Sequence, residues 1–397
     1  MGSGHAHAHP TVDALPVADR VVRALHAAVA AIAVLTVLGL VLLWPGDRDT
    51  AEDPLGLASD PVAAHVRTVS EQPCSYDATA RCELVTSSIT EGIRAGEVFT
   101  LEQPADGGGS TLATGDDILV LATDMGDGTV SYSFYDHQRS GPLWVLLAVF
   151  AGAIVALGRW RGLGALAGLA VSLVVLAVFM LPSILDGHPA VLVALVASSV
   201  IACVALYLAH GFRPATSVAL VSTFAALVVT GILSWWFVRL ASLTGFTDEG
   251  SQFLTALGVP IDARGILLAG IVIGSLGVLD DVTVTQVAAV WELRSTDPTM
   301  ATTELARRAL RIGRDHISST VNTLFLAYAG ASLPLLLLFT EAGQGFADIA
   351  TREVVAVEIV RSLVGSIGLV SAVPISTWLA AVVLRPALPA PLPESGS

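Results

Sequence analysis

Two consecutive acids, Asp280 and Asp281, close the apolar run Gly265 to Leu279, and they are the first residues whose placement suggests chemistry. That run is 15 residues long. At about 1.5 Å per residue it covers about 22 Å, short of a hydrocarbon core about 30 Å thick. At least one acid therefore belongs within the inner part of a bilayer. An ionised acid there costs about 2.5 to 3.5 kcal/mol, so it must face a bundle interior or a water-filled cavity. If the helix continues, Asp280 and Thr283 share one face, and Asp281, Thr285 and Glu292 share a neighbouring one. Oxygen groups so arranged suit a hard cation or a proton relay. The plainer alternative ends the helix at Leu279 and leaves both acids among lipid headgroups.

The next apolar run starts at Gly313-Arg314-Asp315-His316 and carries Ser319, Thr320, Asn322, Thr323 and Tyr328. Helical spacing puts His316, Thr320 and Thr323 on one stripe, which Ser319 and Asn322 overlap. Hydroxyls in helices usually bond their own backbone, but an asparagine amide in lipid needs partners. Two readings are open: glue between helices, or an ion or solute contact facing Asp280. In the last run Glu358 and Arg361 are spaced to pair, followed by Gly365 and Gly368, which allow close helix approach. Arg361 is alternatively a counter-ion for the Asp280 region.

Outside the apolar runs, His5, His7 and His9 offer imidazoles suited to zinc, copper or nickel, though three at a terminus bind weakly without a further ligand. Cys74 and Cys82 flank a short polar stretch and form a candidate disulfide, which requires an oxidising compartment. There is no GxxxxGK[ST] phosphate loop, HExxH zinc helix or GxSxG elbow. No enzyme is expected, the nearest approach to one being His316 with Ser319 or Asp315, and no nucleic-acid partner.

The elements that must hold these residues are membrane helices. Of 397 residues 54% are apolar and only 14% charged, too few charges to cover a soluble globule. Uncharged runs occur at Val21 to Leu43, Leu143 to Leu157, Leu163 to Leu181, Ala190 to Ala209 and Ala215 to Val238. After the run broken at Asp280-Asp281 come His316 to Phe339 and Val354 to Leu384. This gives a membrane all-α bundle of about eight transmembrane helices. All 20 basic residues are arginine, as in high-GC bacterial coding sequences. Arg20, Arg23, Arg159, Arg161, Arg213, Arg294, Arg307, Arg308, Arg311, Arg314 and Arg385 fall on one side, which the positive-inside rule makes cytoplasmic, with both termini.

The expected layout is a histidine-containing cytoplasmic segment (1–20), an anchor helix (21–44), a small extracytoplasmic β domain (45–141), a multi-helix membrane domain (142–385) and a disordered tail (386–397). Strands are expected at Glu83 to Ile89, Glu97 to Glu102, Ile118 to Thr123 and Thr129 to Tyr135, with a hairpin turn at Met125-Gly126-Asp127-Gly128. They suit a small barrel or sandwich, OB-like or SH3-like. Thr296-Asp297-Pro298 predicts the start of a cytoplasmic amphipathic helix at about 297–313, with Glu304, Arg307, Arg308 and Arg311 at helical spacing.

At GSLGVLDDVTVTQVAAVWEL and RRALRIGRDHISSTVNTLFLAYAGASLPLLLLF the sequence resembles the YibE/F family of bacterial multi-pass membrane proteins. The resemblance implies an N-terminal anchor, a β-rich extracytoplasmic segment and a helical bundle. It also implies that Asp280, Glu292, Gly313, Asp315, Asn322, Thr323, Tyr328 and Pro334 are motif positions, and it supplies no activity. The residues themselves point to a transporter or channel of the plasma membrane for an ion or small polar solute. A membrane scaffold or sensor acting through the β domain is the alternative. They name no cofactor and no oligomeric state, and the only partner they require is the lipid bilayer.

Overall fold

The computed structural model describes residues 17–46, 61–77, 79–105, 111–125, 129–246, 261–343 and 345–385. The chain divides into two compact units, one of residues 49–153 and the other of Met1–Arg48 with Ile154–Ser397.

The smaller unit is built on five strands: β1 (Val62–Pro73), β2 (Arg81–Ile89), β3 (Val98–Pro104), β4 (Asp117–Asp124) and β5 (Val130–His137). All pairings are antiparallel, in the order β3-β2-β1-β4-β5. Ala64, Val66, Val85, Phe99, Leu101, Ile118 and Val120 form its core. Phe99 on β3 stacks on Tyr132 on β5 with ring centroids 4.3 Å apart, drawing the outer strands into a barrel-like sheet. The sequence reading missed the central strand, β1. A register shift between Val66 and Thr68 breaks its period-two alternation, so it does not read as a half-buried strand. Residues 126–128 of the expected hairpin turn lie outside the described residues.

A disulfide joins Cys74 and Cys82, whose Cα atoms are 4.9 Å apart, and it staples the β1–β2 connection. Cys203 is the remaining cysteine. Closing so short a loop should contribute about 2.5 kcal/mol. In unfolded, unreduced protein one thiol should react with a maleimide and, after reduction, three. Three before reduction would exclude the bond.

The larger unit begins with α1 (Asp19–Leu42). The boundary between the units falls within α2 (Ser140–Gly158), which is followed by α3 (Trp160–Val174), and this passes through a π-helical stretch (Val175–Met180) into α4 (Leu181–Leu185). Then come α5 (Ala190–His210), α6 (Pro214–Leu240), α7 (Ala263–Thr296), α8 (Thr302–Ala331), α9 (Leu333–Glu341), α10 (Phe346–Thr351) and α11 (Glu353–Val383). Among the described residues seven helices are long and apolar enough to cross a membrane, or eight if α8 and α9 count as one bent span. Leu206, Leu220, Leu227, Leu279 and Leu369 bring α5, α6, α7 and α11 into one core.

The structure bears on three expectations and corrects two of them. The helix that the sequence left open at Asp280-Asp281 continues through both acids as α7, so the alternative that ends it at Leu279 falls. A helix satisfies its own backbone, so an acid within it changes where the side chain must point and need not end the helix. The amphipathic helix expected at about 297–313 and the span after it are likewise a single helix, α8. Asp297 does not cap its start: its Oδ1 accepts from the Thr299 amide (3.1 Å) and hydroxyl (2.8 Å), making a turn after α7, and α8 begins at Thr302. Finally, the span expected to run straight from His316 to Phe339 bends by 59° between α8 and α9. Pro334, in the first turn of α9, has no N–H to give the preceding turn and its ring excludes a helical carbonyl there.

Gly368 on α11 lies so close to Thr230 on α6 that an added Cβ would overlap the Thr230 hydroxyl, while Gly365 leaves ordinary van der Waals room toward Leu324 and Ser275. Gly313 on α8 similarly admits Gln286 of α7 and Val373 of α11.

Candidate functional site

Helices α5 and α7 run parallel, with Ala190 beside Gly265 near their first turns. Fifteen residues on from Gly265, about 22 Å along the axis, α7 presents Asp280 to a cavity of about 370 Å³ formed with α3 and α5. Its wall includes Gly168, Ser172, Leu206, His210 and Gly277. The small residues on α3 and α7 leave the space. Helix α7 has 34 residues, about 51 Å in length, which puts Asp280 near its middle. The Oδ1 atom of Asp280 is buried and has no hydrogen-bond partner among the described residues. An unsatisfied buried carboxyl oxygen is rare, because it gives up hydration without replacement.

The other residues singled out on α7 do different things. Asp281 is exposed, and with Arg161 and Arg213 it is one of the charges acting on His210. Thr283 is fully buried, with its hydroxyl 2.6 Å from that of Thr223 on α6, so it joins two helices. Thr285 donates to the Asp281 carbonyl at 2.8 Å, within its own helix. Glu292 is exposed and lines a second cavity, of about 240 Å³, with Arg161, His210, Arg213 and Trp291. His210 lines both cavities. Sequence reading passed over it because it closes an uncharged run, where an imidazole looks like an end residue. Its signal was its position just before Gly211-Phe212-Arg213, a polar break between two apolar helices.

The polar stripe on α8 does not meet Asp280. Leu305, Ala306, Ala309 and Gly313 are buried, and Ile317 and Val321 extend that face into the core. Asn322 lies nine residues beyond Gly313, about two and a half turns on, hence on the opposite side. Asp315, His316, Ser319, Asn322 and Thr323 are all exposed, and the hydroxyls of Thr320 and Thr323 donate to the carbonyls of His316 and Ser319 at 3.0 Å. Asp280 faces α3 and α5, whereas α7 meets α8 through Gln286. That buried amide, missed in the sequence, donates to the Ala309 carbonyl (2.9 Å) and the Thr377 hydroxyl (2.7 Å), tying α7, α8 and α11 together.

Glu358 and Arg361 pair at 2.7 Å, and Arg361 lies 6.0 Å from the centroid of the Tyr328 ring. Both belong to the side of the bundle where Tyr328 approaches Gly274. Arg361 is therefore committed to Glu358 and is not the counter-ion of Asp280. His5, His7 and His9 lie outside the described residues. Among the described residues one group, Cys74, Cys82 and Glu102, brings metal-ligand atom types together, and its two sulfurs are bonded to each other.

Long apolar helices around a buried carboxyl define a multi-pass membrane protein with polar groups inside its bundle. The family model described as YibE/F-like protein matches residues 146–386, and the chain belongs to that family. No curated protein and no solved structure matches it.

Proposed function

We propose that this protein is a plasma-membrane transporter or channel for a proton or small cation, with the polar route running between α3, α5 and α7. The observation that carries this reading is the unpartnered, buried Oδ1 of Asp280 in a cavity shared with His210. An acid at that depth is costly unless it serves a pathway, and the cavity gives room for water or an ion beside it. His210, reaching from this cavity to the one lined by Glu292, is the group through which the acid would exchange with the aqueous phase.

The arginines support one orientation. Eleven named above cluster at one set of helix ends, against Arg139, Arg239, Arg264 and Arg352 at the other, which favours cytoplasmic termini and an extracytoplasmic β unit. A disulfide in that unit fits an oxidising compartment. A scaffold acting through the β unit would have no use for Asp280.

The reading requires water at Asp280. With Cys203 replaced by serine and the disulfide retained, Gly277→Cys places a thiol in the cavity, at a position where an added Cβ meets nothing within 4 Å. A membrane-impermeant methanethiosulfonate should modify it, and Ser172→Cys, far faster than Leu173→Cys on the exposed apolar surface. Equal and negligible rates at all three positions would show that no aqueous path reaches the acid.

A further inference from the structure

Helix α8 turns its polar face away from its own bundle, and its contacts fix the depth of that face. Gly313 adjoins Gln286 of α7 and Val373 of α11, and Tyr328 adjoins Gly274 of α7. Asn322 lies between these contacts, level with the middle third of α7, which is long and apolar enough to span a membrane. The Thr320 and Thr323 hydroxyls bond carbonyls one turn back, but no such bond holds the exposed Asn322 amide among the described residues. A carboxamide turned to hydrocarbon is costly, because its donors and its oxygen lose hydration without replacement.

The exposed residues of this face have a period. Arg308, Arg311, Asp315, Ser318, Asn322 and Phe325 follow one another at alternating steps of three and four, and all six are exposed on one unbroken helix. That spacing is the seam of a coiled coil, in which a single asparagine specifies register and the number of strands. Two copies of one chain inserted the same way meet by rotation about the membrane normal, so each seam residue faces its own counterpart at the same depth. Asparagine facing asparagine is self-complementary: the amide N–H of each donates to the side-chain oxygen of the other.

The charges fit the same arrangement. Arg311 stands eleven residues before Asn322, about 16 Å along the axis and so beyond half of a core about 30 Å thick. Asp315 is only seven residues before it, about 10 Å, within the core and in need of a partner. In a parallel pair the residue before a seam position borders the facing helix, which brings Arg314 of one copy beside Asp315 of the other.

We infer that two copies of this chain associate through α8, with the Asn322 amides hydrogen-bonded to each other. The inference rests on the exposure and spacing of α8 and not on the transport reading.

The test uses the full chain with Cys203 replaced by serine and the disulfide retained. In isolated membranes, copper phenanthroline should cross-link Ser318→Cys at least about tenfold faster than Val228→Cys, since only facing Cβ atoms meet the geometry of a disulfide. Val228 is exposed on α6, two residues from the contact of Thr230 with Gly368. Association is then measured in liposomes by Förster transfer between donor-tagged and acceptor-tagged copies as the protein is diluted in lipid. Asn322→Leu should raise the dissociation constant of the dimer about tenfold, and Asn322→Gln, which keeps a self-complementary amide, should stay within about threefold of wild type. The inference fails if Ser318→Cys cross-links no faster than Val228→Cys, or if the wild type is monomeric at every dilution, so that lipid or a different protein covers this face. It fails equally if wild type, Asn322→Leu and Asn322→Gln share one dissociation constant.

Discussion

Asp280→Asn is expected to reduce proton or cation flux in proteoliposomes to that of protein-free vesicles while leaving the bundle folded. Asparagine keeps the shape of the side chain and can neither carry a charge nor exchange a proton. It therefore removes the chemistry at the centre of the cavity and keeps its volume. Asp281→Asn should retain flux, because Asp281 is exposed and lies on a neighbouring face of α7. His210→Ala should slow flux without abolishing it, since the imidazole is placed at the boundary of the two cavities and not at the buried acid. A proton route and a cation route also differ in their response to pH, so recording flux with and without a pH gradient identifies the ion. The reading falls if Asp280→Asn and Asp281→Asn, singly and together, leave flux, thermal stability and its ion dependence unchanged. Both acids would then be headgroup residues.

The second large effect is structural. Gly368→Ala should destabilise the protein by about 1 to 3 kcal/mol, the usual cost of overpacking a tight core. An alanine Cβ there would overlap the hydroxyl of Thr230, a fully buried side chain that donates to the Ala226 carbonyl at 2.9 Å. Removing the obstacle should relieve most of the penalty, so Thr230→Ala combined with Gly368→Ala should be more stable than Gly368→Ala alone. That non-additivity is the signature of direct contact. Gly365→Ala, one turn away and with nearest neighbours at 3.5 Å, should be tolerated. Thermal unfolding in one detergent, by intrinsic fluorescence, compares these three variants with Thr230→Ala and wild type. Equal melting temperatures for Gly365→Ala and Gly368→Ala would refute the packing argument.

The apolar runs were legible because lipid demands long uncharged helices, and the ends of α5, α6 and α11 fall within two residues of the sequence reading. Asp280 was legible for the same reason: a charge after only 15 apolar residues cannot be accommodated without a partner or a cavity. What lay across from it was not. The polar stripe of α8 and the acid share a membrane, but helical phase decides what each faces, and Gly313 fixes α8 with Asn322 pointing away. Gln286 escaped notice because one amide in an apolar run looks the same whether it bridges three helices or none. His210 and Glu292 are 82 positions apart, and only the packing of α5 against α7 brings them to one cavity. In the β unit, the strand that organises the sheet was hidden by its own bulge.

Because α8 is unbroken from Thr302 to Ala331, the arginine-bearing half and the apolar half form a single rod. Its 30 residues give it a length of about 45 Å. A pivot of about ten degrees around one end would sweep the other through about 8 Å, with the 59° elbow at Ser332 taking up the displacement. A displacement of the Glu304, Arg307 and Arg308 cluster near its start would thus be felt at the other end of the same rod. A partner pulling on that surface would act as a hand on a lever whose load is the elbow.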